Sequence, residues 1–255
     1  MNSKIIIAAA FALLPAFAQA QSVAPVPPQC VKGTLASYIA LGAQGCVFDD
    51  AVYSNFTYSI PVVSGSTTTI TAAEVLVTPD LLPTATMFPG LNFSAAPATA
   101  TTGSWSVAAG MTAEFVIGYL VTPPAIICAC PAEPAGGTCV CPPIAVTSAP
   151  LTLDLGASKV PGIIGSVTVQ ENATEFLPPV GTTGGTSPAP VPITVATLEV
   201  YDTCDDACRI LQTDTVTISP VVPLQTNIAV TLEGGTGGAS LNGFASDLAI
   251  GPQPE

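Results

Sequence analysis

Histidine is absent from this 255-residue chain and basic residues are scarce: 4 Lys+Arg stand against 17 Asp+Glu, a net charge of -13. Without histidine the commonest general base and metal ligand is missing. No Ser/His/Asp or Cys/His nucleophilic arrangement can be assembled from such a chain. With so few cations no surface can neutralise a phosphate backbone, so nucleic acid is excluded as a partner, and an anionic membrane surface would repel the chain. Charged residues make up 8% of the sequence and aromatics 6%, with a single Trp; ordinary soluble domains carry ~25% charged residues. Proline (26) and glycine (22) are plentiful, and Ala, Thr, Val and Ser fill the rest. This is the composition of an extracellular, β-rich protein with a hydroxyl-coated surface.

The N-terminus reads as an export signal. Lys4 is the single charge before the apolar run Ile5 to Phe17, and Ala18-Gln19-Ala20 places small residues where a signal peptidase reads. The run is interrupted by Pro15 and falls short of the ~20 residues of a spanning helix. Residues 1–20 are therefore expected to be removed, leaving a mature chain from Gln21 to Glu255. Its expected organisation is a Pro-rich segment at 21–29, a single domain over 30–250 and a short tail at 251–255. No other segment is apolar enough to span a membrane.

All eight cysteines lie in the mature part, and an even count in an exported chain favours disulfides. Cys128 and Cys130 mirror Cys139 and Cys141 about one centre, so a hairpin there would nest 130–139 inside 128–141. The rival is a four-thiolate zinc site, although zinc more often uses Cys-x2-Cys spacing. Cys30 with Cys46, and Cys204 with Cys208, are the remaining pairs.

Hydrophobic residues recur with period two. Leu151, Leu153 and Leu155; Val167 and Val169; Val216 and Ile218; and Ile228, Val230 and Leu232 each alternate with polar or small residues, as half-buried strands do. Phe115, Ile117, Tyr119 and Val121 line one side of a strand whose other side carries Val116 and Leu120, which predicts a central strand. Segments 69–78 and 191–201 read as strands covered on both faces. Residues 178–190, dense in Pro and Gly, read as a long surface loop. A turn or two of helix fits Thr34 to Leu41, with Leu35, Tyr38, Ile39 and Leu41 as its apolar face. Many short strands separated by turn signals predict an all-β fold, a β-sandwich or jelly roll.

Several blocks carry a resemblance. Gly33-Thr-Leu-Ala-Ser-Tyr-Ile-Ala-Leu41, Gly45-Cys46 and Ser54-Asn-Phe-Thr-Tyr58 are followed by Val75-Leu-Val-Thr-Pro79, Pro89-Gly-Leu-Asn-Phe-Ser94 and Gly238-Ala-Ser-Leu-Asn-Gly-Phe244. Together they resemble bacterial exported proteins of the PEP-CTERM sorting-tail group. The resemblance implies an exported β-protein of the cell surface or matrix, with no catalytic residues to carry over. The group's tail is a Pro-Glu-Pro motif, a hydrophobic helix and a basic cluster, whereas this sequence reads Gly251-Pro-Gln-Pro-Glu255. The expectation is either a tail missing from the sequence or a released member.

Candidate chemistry is sparse. Asp202, Asp205 and Asp206 are the local carboxylate cluster that could hold Ca2+, with Asp49 and Asp50 as a second contributing segment; a solvated acidic turn is the alternative. Trp105, Tyr53, Tyr58, Tyr119 and Tyr201 could form a sugar-stacking platform, or fill the core. Asn55, Asn92 and Asn172 match the glycan-acceptor pattern, which chance alone can supply. The expected function is a non-catalytic secreted or surface-associated β-protein, without a cofactor unless Ca2+ binds. Its expected partner is extracellular polysaccharide or matrix. A carbohydrate-binding module is the second reading and a glycan-active enzyme the third.

Overall fold

The computed structural model describes residues 25–64, 70–81, 89–95, 105–123, 144–153, 158–159, 165–177, 191–204, 209–221 and 223–252. The expected export signal at 1–20, Cys128, Cys130, Cys139, Cys141, Cys208, Asp205, Asp206 and residues 178–190, expected as a loop, lie outside the described residues.

In chain order the elements are β1 (Gly33–Thr34), α1 (Leu35–Ala40), β2 (Cys46–Phe48), β3 (Ala51–Ser64), β4 (Val75–Leu81) and β5 (Pro89–Ala95). Then come β6 (Trp105–Val107), β7 (Thr112–Thr122), β8 (Ile144–Leu153), β9 (Ser158–Lys159), β10 (Gly165–Leu177) and β11 (Val191–Cys204). The chain ends with β12 (Arg209–Leu211), β13 (Thr213–Val221), β14 (Leu224–Glu233), β15 (Ala239–Leu241), β16 (Gly243–Asp247) and β17 (Ala249–Pro252). One seven-stranded sheet has the order β12-β11-β10-β14-β7-β3-β2. The other runs β1-β4-β5-β16-β8-β13, with β17 also on β8, and β6-β15-β9 form a small third sheet. Neighbouring strands of all three sheets pair antiparallel. The fold is the expected all-β class, consistent with a β-sandwich.

Alternation explains the core. On β14, Leu224, Thr226, Ile228, Val230 and Leu232 are buried while the residues between them are partly open, and β7 and β10 repeat the pattern with Phe115, Ile117 and Tyr119 and with Val167 and Val169. The facing sheet contributes Val75, Val77, Leu91, Phe93, Leu151 and Phe244. Aromatic contacts join the layers: Tyr119 lies 6.1 Å from Phe93, Phe93 5.2 Å from Phe244, and Phe244 6.0 Å from Trp105. As expected, β7 is interior to its sheet, flanked by β14 and β3.

Two expectations need correction. Segment 69–78 is not one strand, because β4 starts at Val75 and residues 72–74 form a turn. There the Thr71 N–H and hydroxyl both donate to the Glu74 carboxylate at 2.8 Å, a closed polar turn that competes with strand geometry. Nor is β11 covered on both faces: Ala196, Leu198 and Val200 are buried, but Ile193, Thr197 and Glu199 are exposed. Branched side chains favour strands on solvent faces too, so their presence did not signal burial.

The short helix forms where expected. Thr34 caps it, its hydroxyl accepting from the Ser37 N–H at 3.2 Å, and Leu35 and Tyr38 are its buried residues. Tyr38 donates to the Val31 carbonyl at 2.9 Å and meets Phe56 edge-on at 5.0 Å. The Cys30–Cys46 disulfide, across 16 residues, ties the segment before the helix to β2, as expected.

Candidate functional site

The densest polar chemistry among the described residues lies between the two large sheets. On β10 the inward period runs Val167, Val169, Glu171, Ala173, so a carboxylate occupies a position that the pattern otherwise gives to apolar side chains. Glu171 is fully buried. On the facing sheet Ser246 of β16 is turned toward it, and the Ser246 hydroxyl donates to Glu171 Oε1 at 3.0 Å. Tyr119 of β7 completes the chain, its hydroxyl 2.7 Å from Ser246 Oγ. Thr226, paired in register with Tyr119, and Asp247, next to Ser246, are also fully buried. Glu171 Oε2, Thr226 Oγ1 and both Asp247 oxygens have no hydrogen-bond partner.

Electrostatics follow from this enclosure. Burial pushes the Glu171 carboxyl up to about 8, with the Asp247 charge adding to the rise and the Ser246 hydrogen bond opposing it. Burial, then the charge of Asp80, pushes Asp247 up to about 7. The Tyr119 hydroxyl is held well above its ordinary range by burial, then by Glu171. Near neutral pH Glu171 is therefore a protonated acid that can both donate and accept in the Tyr119–Ser246 chain. With Tyr119, Ser246, Glu171 and Thr226 at 0–1% exposure, this chain between the sheets offers a substrate no approach; Asp247, one residue on from Ser246, belongs to the other face of its sheet.

The residues singled out in the sequence are dispersed. Cys30 and Cys46 are joined. Cys204 ends β11, and its expected partner Cys208 lies outside the described residues, as do the four cysteines of the 128–141 group. Asp202 is partly exposed on β11, opposite Ile210 on β12 and Val167 on β10, while Asp205 and Asp206 lie outside the described residues. Asp49 and Asp50 form the two-residue link of the β2–β3 hairpin, with φ of 47° and 66°, which is type I′ geometry. They are a solvated turn. Trp105, Tyr53 and Tyr119 are buried core fillers and cannot serve as a sugar platform; Tyr58 and Tyr201 are partly covered. Asn55 is exposed at a bulge with φ 54°, while Asn172 accepts from the Thr197 hydroxyl at 2.9 Å.

Glu171 and Asp247 were missed. The first was detectable as a carboxylate in phase with the valines of β10. Asp247 left no such signal, because Gly243 to Asp247 are all buried and no alternation shows.

No family model and no curated protein matches the chain. Among solved structures it is similar to TmCBM61 in complex with β-1,4-galactotriose, at 12% identity and a TM-score of 0.28, covering 78% of this chain and 88% of that one. It is also similar to the enzymatically active domain of tailspike protein 4 from bacteriophage CBA120, at 15% identity and a TM-score of 0.25, covering 76% of this chain and 19% of that one. At these TM-scores neither likeness carries an argument about ligand or activity.

Proposed function

We propose that this protein is a non-catalytic, exported β-sandwich of the cell surface or extracellular matrix, as the resemblance to the PEP-CTERM group implies. The observation that carries the reading is the Cys30–Cys46 disulfide, a bond that persists in oxidising compartments and is rare in reducing ones. It accords with the signal-like N-terminus and with a strand framework whose core takes up Trp105, Tyr53 and Tyr119. The function is then that of the bulk molecule: a stable acidic body, rich in hydroxyls outside, that stays dissolved or hydrated among extracellular polysaccharide.

Fractionation of a producing bacterium tests this. The protein should be found outside the cytoplasm, beginning at Gln21, with the Cys30–Cys46 bond oxidised. Cytoplasmic material retaining Lys4 and carrying free thiols at Cys30 and Cys46 would overturn the proposal. Binding to a defined oligosaccharide on an array would move the reading to a carbohydrate-binding module.

A further inference from the structure

We propose a site for a hard divalent cation, Ca2+ by its ligand chemistry, between Asp80 and Asp247 over the face of Gly90. The register places the three residues on one rung: Asp80 of β4 pairs with Gly90 of β5, which pairs with Asp247 of β16. A Cβ added to Gly90 would fall on Asp247 Oδ1, with the Asp247 carboxyl carbon also in close contact. The Asp247 side chain therefore lies across the glycine, on the side where a side chain of Gly90 would stand, and any larger residue at 90 would expel it. In an antiparallel rung the Asp80 side chain shares that face, and its charge acts on Asp247.

The second observation is the state of Asp247 itself. It is fully buried, yet both of its carboxylate oxygens are without a hydrogen-bond partner. Buried carboxylates are ordinarily satisfied, since each offers about four lone-pair positions. Two facing carboxylates also repel one another, and a cation between them converts that repulsion into ligation.

The next rung but one, Thr78–Asn92–Ala245, puts Thr78 and Asn92 on the same face. The donor set is then all oxygen, which suits Ca2+ or Mg2+ and not a transition metal. Ca2+ tolerates the irregular geometry that sheet-borne ligands supply, whereas Mg2+ demands near-ideal octahedra. Two carboxylates completed by carbonyl and water oxygens correspond to the weak extracellular range, a Kd on the order of 10⁻⁴–10⁻³ M. Its ligands are other residues than the acidic run Asp202, Asp205 and Asp206, and it does not depend on the proposed function.

The test uses the full purified chain at pH 7.5, chelated and then titrated with CaCl2 against MgCl2 at matched ionic strength, followed by thermal unfolding and calorimetry. Millimolar Ca2+ should raise Tm by roughly 3–6 °C through mass action. Asp80→Asn, at an exposed position that should leave folding intact, should weaken Ca2+ binding at least tenfold. The double variant Asp205→Asn with Asp206→Asn should keep the full shift. Either of two results overturns the site: no Ca2+-specific shift in the unmodified chain, or a shift that survives Asp80→Asn and is lost in the double variant.

Discussion

Glu171 shows how one residue can set a pH dependence. Its folded-state pKa of about 8 and that of Asp247, about 7, stand above the ordinary values of 4.5 and 3.8. As pH rises between the two limits the unfolded chain gives up protons that the folded chain retains, so each group lowers stability by roughly 1.4 kcal/mol per pH unit. Its contribution is most favourable below the unfolded pKa, and the decline ends once the folded group itself ionises. Urea unfolding in calcium-free buffer should therefore show stability falling from about pH 5 to pH 8. Glu171→Gln, which removes one of these acids, should flatten that decline and leave the variant more stable than the unmodified chain at the alkaline end. Parallel pH profiles for the two proteins would mean that Glu171 is not a buried protonated acid.

At the scale of elements, two local devices guard the fold. The first is the Cys30–Cys46 bond, which restrains the entry to α1 against β2. Closing a loop of that size removes unfolded-chain entropy worth ~3 kcal/mol, and replacing both cysteines by Ala should cost on the order of 2–4 kcal/mol in denaturant titrations. The second lies at the β11 edge, where β12 pairs only with Tyr201 to Thr203. Farther along, the Glu199 N–H donates to Asp214 Oδ2 at 3.0 Å, and the other carboxylate oxygen takes the Thr215 N–H at 2.9 Å. A strand of the opposite sheet thus occupies a donor that another chain could otherwise pair with. Asp214→Ala should cost ~0.5–1.5 kcal/mol and increase concentration-dependent association in light scattering. Unchanged stability and mass would mean the contact does not protect the edge.

For the whole molecule, the interior is closed by contacts between sheets. The Tyr119–Ser246 hydrogen bond spans 127 residues of sequence and the Ser246–Glu171 bond 75. A chain held by such distant contacts, with few charges and a net charge of -13, would be stabilised further by the cross-links expected from the spacing of Cys128, Cys130, Cys139 and Cys141. Under non-reducing conditions the peptide holding Cys128 and Cys130 should be linked to the one holding Cys139 and Cys141. One zinc per chain with four free thiols would reverse that expectation in favour of the thiolate site.

The strand identities at Val167 and Val169, at Val216 and Ile218 and at Ile228 to Leu232, the helix at Leu35, and the Cys30–Cys46 pair were all legible from the residues themselves. Each rests on interactions a few positions apart: a period of two, an apolar face at helical spacing, or the even count and short spacing of cysteines. Strand order and the facing of the sheets were not legible, because periodicity says which side of a strand is buried and nothing about what covers it. The same limit hid the candidate site. Asp80, Gly90 and Asp247 meet only because β4, β5 and β16 are neighbours in one register, and Glu171 meets Ser246 only because two sheets face each other. Composition and local pattern determined the class of fold, because a period of two needs only near neighbours, while tertiary pairing decided where the carboxylates went.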